Sequence, residues 1–463
     1  MAFITVLALA FGTCSVFQLI TEQERERTVA HFKKPGSIIR HEQWMKGERP
    51  SGGDTAESPP PDVHAGAAAE ALTPDEQCAK YTDVFEQLER AWAGRSDAAD
   101  LRRSGLNSLG VGCDLPTATE VAFEQLVQAN PALLQSIRAL AELGGPICPL
   151  DLSKGLYSDA PYVRSLQECA LILCCSAKAE TRQGNLEQGI QDLLAALKFA
   201  DTLACDPYWM SFSTHVRIYR VASRVLQDGC ASGDVPRELA DELLARLRGA
   251  YHREAFADSL ASFEYSVMQM LSDVRESPVS EIQRRYDATG IVGVAGIWGL
   301  RSPPAQLFIS INESHFVELC SRFVELASRP PYETRSLVDQ IQREEEGGSL
   351  LHWFADVKFT PVLIEMMLDQ AKHEATVDLM RIGVALEVYR SEKGTYPETL
   401  EEVAGVLGGV VPLDAFTGKP YLYEPRGHSF VLQSSGTVWC YDPEQRHSGR
   451  LVVLSWRGGQ RSP

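Results

Sequence analysis

Residues 360–394 read TPVLIEMMLDQAKHEATVDLMRIGVALEVYRSEKG, the longest periodic segment of the chain. Its apolar residues recur at spacings of four and three, the repeat of one helix face. They are Ile364, Leu368, Ala371, Ala375, Leu379, Ile382, Leu386 and Tyr389. Pro361 suits the first turn of a helix, and Gly394 suits the residue that ends one. The pattern predicts a helix of about eight turns with one continuous apolar face, at roughly 3.6 residues per turn.

A short, turn-rich segment follows this helix. Residues 396–403 (YPETLEEV) predict a second, short helix, and residues 411–423 (VPLDAFTGKPYLY) carry the proline, aspartate and glycine typical of turns. Residues 429–434 alternate like a strand, with Phe430 and Leu432 on one face. Together these elements predict a small α+β unit at the end of the long helix.

The order of these elements resembles the C-terminal domain of the major pseudopilin of type II secretion. That family has a helix ending in A-L-x-x-Y, then G-x-Y-P, a short helix, a P-x-D-x-x-G-x-P-Y turn and a strand closing on S-x-G. The matching residues, between residues 385 and 436, are Tyr389, Gly394, Tyr396, Pro397, Pro412, Asp414, Gly418, Pro420 and Tyr421. The resemblance implies a long helix capped by a pseudopilin-like domain over residues 356–463.

Each of these motif residues has a structural role that its chemistry explains. Asp414 can accept backbone N–H groups within its own turn. Tyr389 and Tyr396 can pack the helix against the turn while their hydroxyls stay in solvent. We therefore interpret the nine residues as a structural motif and predict neither catalytic nor cofactor-binding residues among them.

The chain also departs from the pseudopilin pattern. In that family the loop after S-x-G supplies aspartates to a calcium ion, whereas here Gly436 is followed by TVWCYD, with few oxygen donors. Residues 2–6 (AFITV) lack the glutamate of the family's mature start. We expect no calcium site, no other metal or cofactor, and no processing as a pilin.

The preceding region, residues 73–355, has the pattern of a helical body. Thr73-Pro74-Asp75-Glu76 is a capping box with proline at the first helical position. Residues 166–200 predict two helices joined at Gly184-Asn185, a turn that looks like that of a tetratricopeptide repeat. No second copy follows at about 34 residues, so we predict one such hairpin within an irregular bundle.

Residues 253–277 predict an amphipathic helix of this body, with Glu264 beside its apolar stripe. A half-buried glutamate can act as an acid or base, but without a partner motif a structural ion pair is the better interpretation.

The first 72 residues predict an anchor and a spacer. Residues 2–20 carry no charge and are just long enough to cross a bilayer as a helix, so residues 1–20 are interpreted as a membrane anchor rather than a cleaved signal peptide. A buried N-terminal helix is the alternative. Residues 21–72 are polar and then rich in proline, glycine and alanine, which indicates a flexible spacer. We expect a single-pass protein of the cytoplasmic membrane with its bulk on the outer, periplasmic face.

Composition restricts the partners. The chain has 463 residues and a formal net charge of −18, which disfavours binding to nucleic acid. Its eleven cysteines form no C-x-x-C pair, so a disulfide scaffold is not expected, although individual bridges would be possible in an exported protein. We predict that Cys169, Cys174 and Cys175 are buried thiols on one helix.

These observations predict a mainly α protein: an irregular helical bundle with a tetratricopeptide-like hairpin, followed by a small α+β domain. The layout resembles a group of anchored bacterial proteins to which no activity is assigned. The sequence carries no hydrolase, metalloprotease or phosphate-loop motif. We therefore expect a non-enzymatic envelope protein that binds other proteins or serves secretion. The alternative is an envelope hydrolase with a dispersed site in the helical body.

Overall fold

The computed structural model describes residues 73–93, 95–102, 117–144, 160–206, 208–278, 303–346, 359–434 and 455–458. The predicted anchor, the spacer and the loop after Gly436 lie outside these ranges. No helix in the described part of the chain is both long enough and apolar enough to span a membrane.

The described residues are mainly helical, as the sequence predicts. The helices of the body are α1 Pro74–Ala93, α2 Thr117–Ala129, α3 Pro131–Leu143, α4 Pro161–Arg182, α5 Leu186–Ala204, α6 Trp209–Ser232, α7 Arg237–Arg248, α8 Arg253–Glu276, α9 Pro303–Ala327 and α10 Pro331–Glu346. The capping box at the start of α1 is confirmed. The Glu76 carboxylate accepts the Thr73 N–H at 2.8 Å, and the Thr73 hydroxyl accepts the Glu76 N–H at 3.3 Å.

Helices α4 and α5 form the hairpin that the sequence predicts. Gly184 turns the chain with a φ of +85°, which favours glycine. Gly189 lets the two helices approach closely, because a Cβ there would lie 2.8 Å from the Thr181 hydroxyl. Cys169, Cys174 and Cys175 are buried, free thiols on α4, as expected. The likeness to a tetratricopeptide repeat stays a prediction.

The long helix α11 spans Thr360–Lys393, and Gly394 ends it in the left-handed region with a φ of +80°. The sequence predicts one apolar face, but eight consecutive residues from 373 to 380 are buried, so the helix is enclosed on every side. The reason is that α11 packs against α6 and α7 as well as α8, α9 and α10. Its polar side chains are therefore buried together with the apolar ones.

The terminal module consists of a 3₁₀ turn at Leu400–Val403, α12 at Ala404–Leu407, and three strands. Strands β1 Leu422–Pro425, β2 Phe430–Gln433 and β3 Ser455–Gly458 are antiparallel in the order β1-β2-β3. The central strand pairs Leu432 with Tyr423 on one side and Trp456 on the other. Phe430 and Leu432 face the core, as the alternation predicts.

One apolar core joins the terminal module to the body. Phe430 and Leu432 of the module belong to the same buried cluster as Leu193 of α5, Tyr219 of α6 and Leu386 of α11. A second cluster lies between α8, α9, α10 and the first turns of α11. Because residues 347–358 lie outside the described ranges, the boundary between domains at residues 355 and 356 stays a prediction.

Candidate functional site

The turn around Asp414 is built as its chemistry predicts. The buried Asp414 carboxylate accepts the Phe416 N–H at 3.1 Å, the Ser434 hydroxyl at 2.8 Å and the Thr417 hydroxyl at 3.0 Å. Gly418 has a φ of +64° and packs against the ring of Tyr332 on α10. Asp414 therefore organises a turn that contacts the body.

The remaining motif residues lie along the junction of α11 with the module. Tyr389 donates to Glu402 at 2.7 Å, and the carbonyl of Pro397 accepts the Tyr423 hydroxyl at 2.8 Å. Pro412 precedes Leu413, whose isolated bridge to Pro420 closes the turn.

The hydroxyls of two tyrosines of the motif have hydrogen-bond acceptors inside the protein. The expectation of a solvated hydroxyl is wrong for Tyr396, which is buried and donates to Glu387 at 2.9 Å. The hydroxyl of Tyr421 donates to Asp378 of α11 at 3.0 Å, and Tyr251 of the body donates to the same carboxylate. Burial raises the pKa of Asp378 to about 7 despite these donors. The motif thus joins the module to the body.

A second group of polar residues lies deeper, where α5, α6 and α11 meet the turn between α7 and α8. This histidine cluster consists of His215 on α6, His252 in the turn, His373 on α11, and the neighbouring Asp201 and Tyr219. His215 and His373 are fully buried. The side chains of His252 and Asp201 are 20% and 23% exposed, so the cluster reaches the surface on their side.

The hydrogen bonds fix the tautomers of the two buried histidines. His215 Nδ1 lies 2.9 Å from the Ala200 carbonyl and must carry the proton that this carbonyl accepts. His373 Nε2 lies 2.6 Å from the Ala250 carbonyl and must also be protonated. His215 Nε2, which is 3.1 Å from His373 Nε2, therefore presents a lone pair to the cluster.

The burial of these two rings keeps them neutral. Desolvation, reinforced by the neighbouring histidines, lowers the pKa of His215 well below its ordinary value. Desolvation likewise lowers the pKa of His373 to about 3.

Asp201 carries the negative charge of the cluster. Burial alone would raise its pKa, but bonds from His252 and Tyr219 and the charge of Arg246 outweigh this effect, so the pKa is lowered. Oδ1 accepts the Tyr219 hydroxyl at 2.7 Å and lies 3.2 Å from His252 Nε2. Oδ2 pairs with Arg246. Asp201, His215 and His252 could together hold a metal ion. Each offers one donor atom, and these three atoms all lie within 4.8 Å of one another.

The backbone of His252 is unusual. Its φ is +49°, and no other described residue except glycine has a positive φ. This left-handed conformation directly precedes α8 and places the ring beside Asp201. Such conformations are costly for residues with a side chain and occur often at functional sites.

The terminal module also presents apolar side chains to solvent. Of the six large hydrophobic residues that are exposed in the described ranges, three lie between residues 410 and 422. Val410, Leu413 and Leu422 are 74%, 45% and 55% exposed. The bridge between Leu413 and Pro420 brings the ends of this segment together. We call these three residues the terminal apolar surface.

A small cavity of about 50 Å³ lies beside this segment, between α10, α11 and the Asp414 turn. Its lining is mainly apolar and includes Val338, Ile364, Met367 and Phe416.

Glu264 is buried in α8, and no cation pairs with it in the part of the chain that the structure describes. The expected ion pair is therefore not seen there. Desolvation raises the pKa of Glu264 to about 8, so this carboxyl is mostly protonated at neutral pH.

The histidine cluster has no signature in the sequence, because its members lie on separate elements with no local spacing. One signal was present in α11: Gln370, Glu374 and Asp378 recur four residues apart, and His373 lies next to Glu374. A polar stripe of this kind indicates buried polar contacts along a second face.

No known protein family, curated protein or solved structure matches this chain.

Proposed function

We propose that the chain is a non-enzymatic, membrane-anchored envelope protein that binds another protein through its terminal module. The observation that carries this proposal is the terminal apolar surface, where Val410, Leu413 and Leu422 are exposed within one short segment of the chain. Concentrated exposed apolar residues are typical of protein-binding sites. The module is also fixed to the body by a shared core, so the surface is presented on a rigid support.

The proposed location rests on the first residues of the chain. Residues 2–20 have the length and composition of a membrane anchor, and we propose that the body lies on the outer face of the cytoplasmic membrane.

The finer fold assignments support the same proposal. We propose that α4 and α5 form a tetratricopeptide-like hairpin and that residues 356–463 form a pseudopilin-like domain. Both are protein-interaction or assembly units where they occur. The nine motif residues hold the domain together, and the motif contains no calcium ligands in this interpretation.

A crosslinking experiment tests the binding proposal. A photoreactive benzoylphenylalanine replaces Leu422 in the full-length protein, and a matched variant carries it at the exposed Glu242 of α7. After irradiation of native membranes, the variant with the photoreactive residue at position 422 should form a specific adduct with another protein. The variant with that residue at position 242 should form no adduct of the same mass. The proposal is wrong if position 422 gives no adduct, or if both positions give the same ones.

The second candidate is an envelope hydrolase, and the histidine cluster is the observation that favours it. Converging histidines and a carboxylate can supply acid, base or metal chemistry. His252→Gln separates the candidates: it should abolish activity in a hydrolase but leave the adduct at position 422 unchanged in a binding protein.

A further inference from the structure

We propose that Asp201, His215 and His252 bind a divalent transition-metal ion, with Zn²⁺ as the ion that best suits two imidazoles and one carboxylate. This inference concerns the histidine cluster alone and does not rest on the protein-binding proposal.

The spacing of the donor atoms fits such an ion. Zinc binds nitrogen and oxygen at about 2.0–2.2 Å, so two ligands of a tetrahedral ion lie about 3.3 Å apart. His252 Nε2 and Asp201 Oδ1 are already 3.2 Å apart. The set that includes His215 lies within 4.8 Å, so small shifts of the side chains are required to bring all three donors to this spacing.

Two of the three donors, His215 and Asp201, are oriented by a second contact, as metal ligands commonly are. The Ala200 carbonyl accepts His215 Nδ1–H and directs Nε2 into the cluster. Arg246 binds Oδ2 of Asp201, so that Oδ1 faces His252. The Tyr219 hydroxyl also donates to Oδ1. Arg246 also opposes the ion electrostatically, so the affinity is lower than at a site without a neighbouring cation.

His373 leaves the lone pair of His215 available. Its Nε2–H makes the shorter bond, 2.6 Å, to the Ala250 carbonyl, so the 3.1 Å contact to His215 is not needed to satisfy that proton.

The backbone of His252 supports the same conclusion. Its left-handed conformation costs free energy, and the observed hydrogen bond to Asp201, at 3.2 Å, lies at the long end of the normal range. A metal bond to Nε2 would be a stronger contact.

The partial exposure of Asp201 and His252 gives the ion a route from solvent. Three protein ligands leave one position of a tetrahedral ion open to water.

Metal binding is tested on tag-free, full-length protein that has been stripped with chelator. Calorimetric titration with ZnCl₂ should give one site per chain, and Co²⁺ should give the visible absorption bands of a tetrahedral site with nitrogen and oxygen ligands. Titration with CaCl₂ should give no heat of binding, because calcium prefers all-oxygen sites. Absence of both the zinc heat and the cobalt bands would overturn the proposal without any variant.

Variants then locate the site. His252→Gln should weaken zinc binding by more than about 100-fold, and Tyr219→Phe by about 10-fold, since outer-shell contacts have effects of this size. His428→Gln changes an exposed histidine in the turn between β1 and β2, and it should leave the affinity unchanged. Circular dichroism confirms that each variant is folded. Full zinc affinity in folded His252→Gln, or loss of binding in His428→Gln, would show that the ion binds elsewhere.

Discussion

Gly418→Ala should destabilise the protein, and the size of the loss should report on the contact between the terminal module and α10. Gly418 has a φ of +64°, and a Cβ there would lie 2.7 Å from Cδ2 and 3.1 Å from Cγ of Tyr332. The left-handed conformation costs alanine about 1–2 kcal/mol. Overpacking against the ring adds about 1–3 kcal/mol, because the contact is with the base of the ring rather than its flexible end. The expected loss in the free energy of unfolding is therefore about 2–5 kcal/mol.

Gly427→Ala is the matched control. Gly427 has a φ of +65°, but nothing lies within 4 Å of the position of its Cβ. This variant should therefore show the backbone cost alone, about 1–2 kcal/mol. The difference between the two variants isolates the contact of the module with α10.

The assay is urea unfolding of the full-length protein followed by circular dichroism. The variants Tyr332→Ala and Tyr332→Ala with Gly418→Ala complete a double-mutant cycle, in which the coupling should be about 1–3 kcal/mol. If Gly418→Ala is no more destabilising than Gly427→Ala, and the cycle shows no coupling, the turn does not pack on α10 as described.

Three further predictions follow from the fold. Asp414→Ala should lower the free energy of unfolding by about 2–3 kcal/mol, because the substitution leaves buried donors of the turn without an acceptor. Urea titration measures this loss, and added calcium should not change it. Glu264 has a folded-state pKa of about 8, raised by burial, so its contribution to stability is complete below about pH 4.5 and is lost as the pH rises to about 8. Glu264→Gln should therefore stabilise the protein more at pH 9 than at pH 5, by up to about 4 kcal/mol, whereas Glu254→Gln at an exposed site of α8 should not; equal effects at both pH values would refute the assignment. Deletion of residues 1–20 should move the protein from the carbonate-washed membrane fraction to the soluble fraction, and recovery of the intact chain in the soluble fraction would show that these residues are no anchor.

The sequence predicts the elements of the fold because their signals are local. The capping box at Thr73, the glycine turn at Gly184 and the helix end at Gly394 each depend on a few adjacent residues, and each is confirmed. The turn at Asp414 is predicted for the same reason.

The arrangement of those elements and the histidine cluster could not be predicted in this way. The apolar stripe of α11 predicts one buried face, but it does not show that helices cover the other faces too. His215, His252 and His373 approach one another only because α6, α11 and the turn before α8 cross at one place. Tertiary packing, rather than any spacing along the chain, creates this cluster.

Helix α11 forms the shared core of the body and the terminal module, and hydrogen exchange can measure whether the two unfold together. In the full-length protein, the amides of residues 377–388 should exchange only by global unfolding, with the same free energy as those of residues 193–203 in α5, because both segments lie in one apolar cluster. The amides of β2 should belong to the same unit. Exchange of residues 377–388 and β2 at a clearly lower free energy, while α5 stays protected, would show that the terminal module unfolds by itself and that α11 is not a shared core.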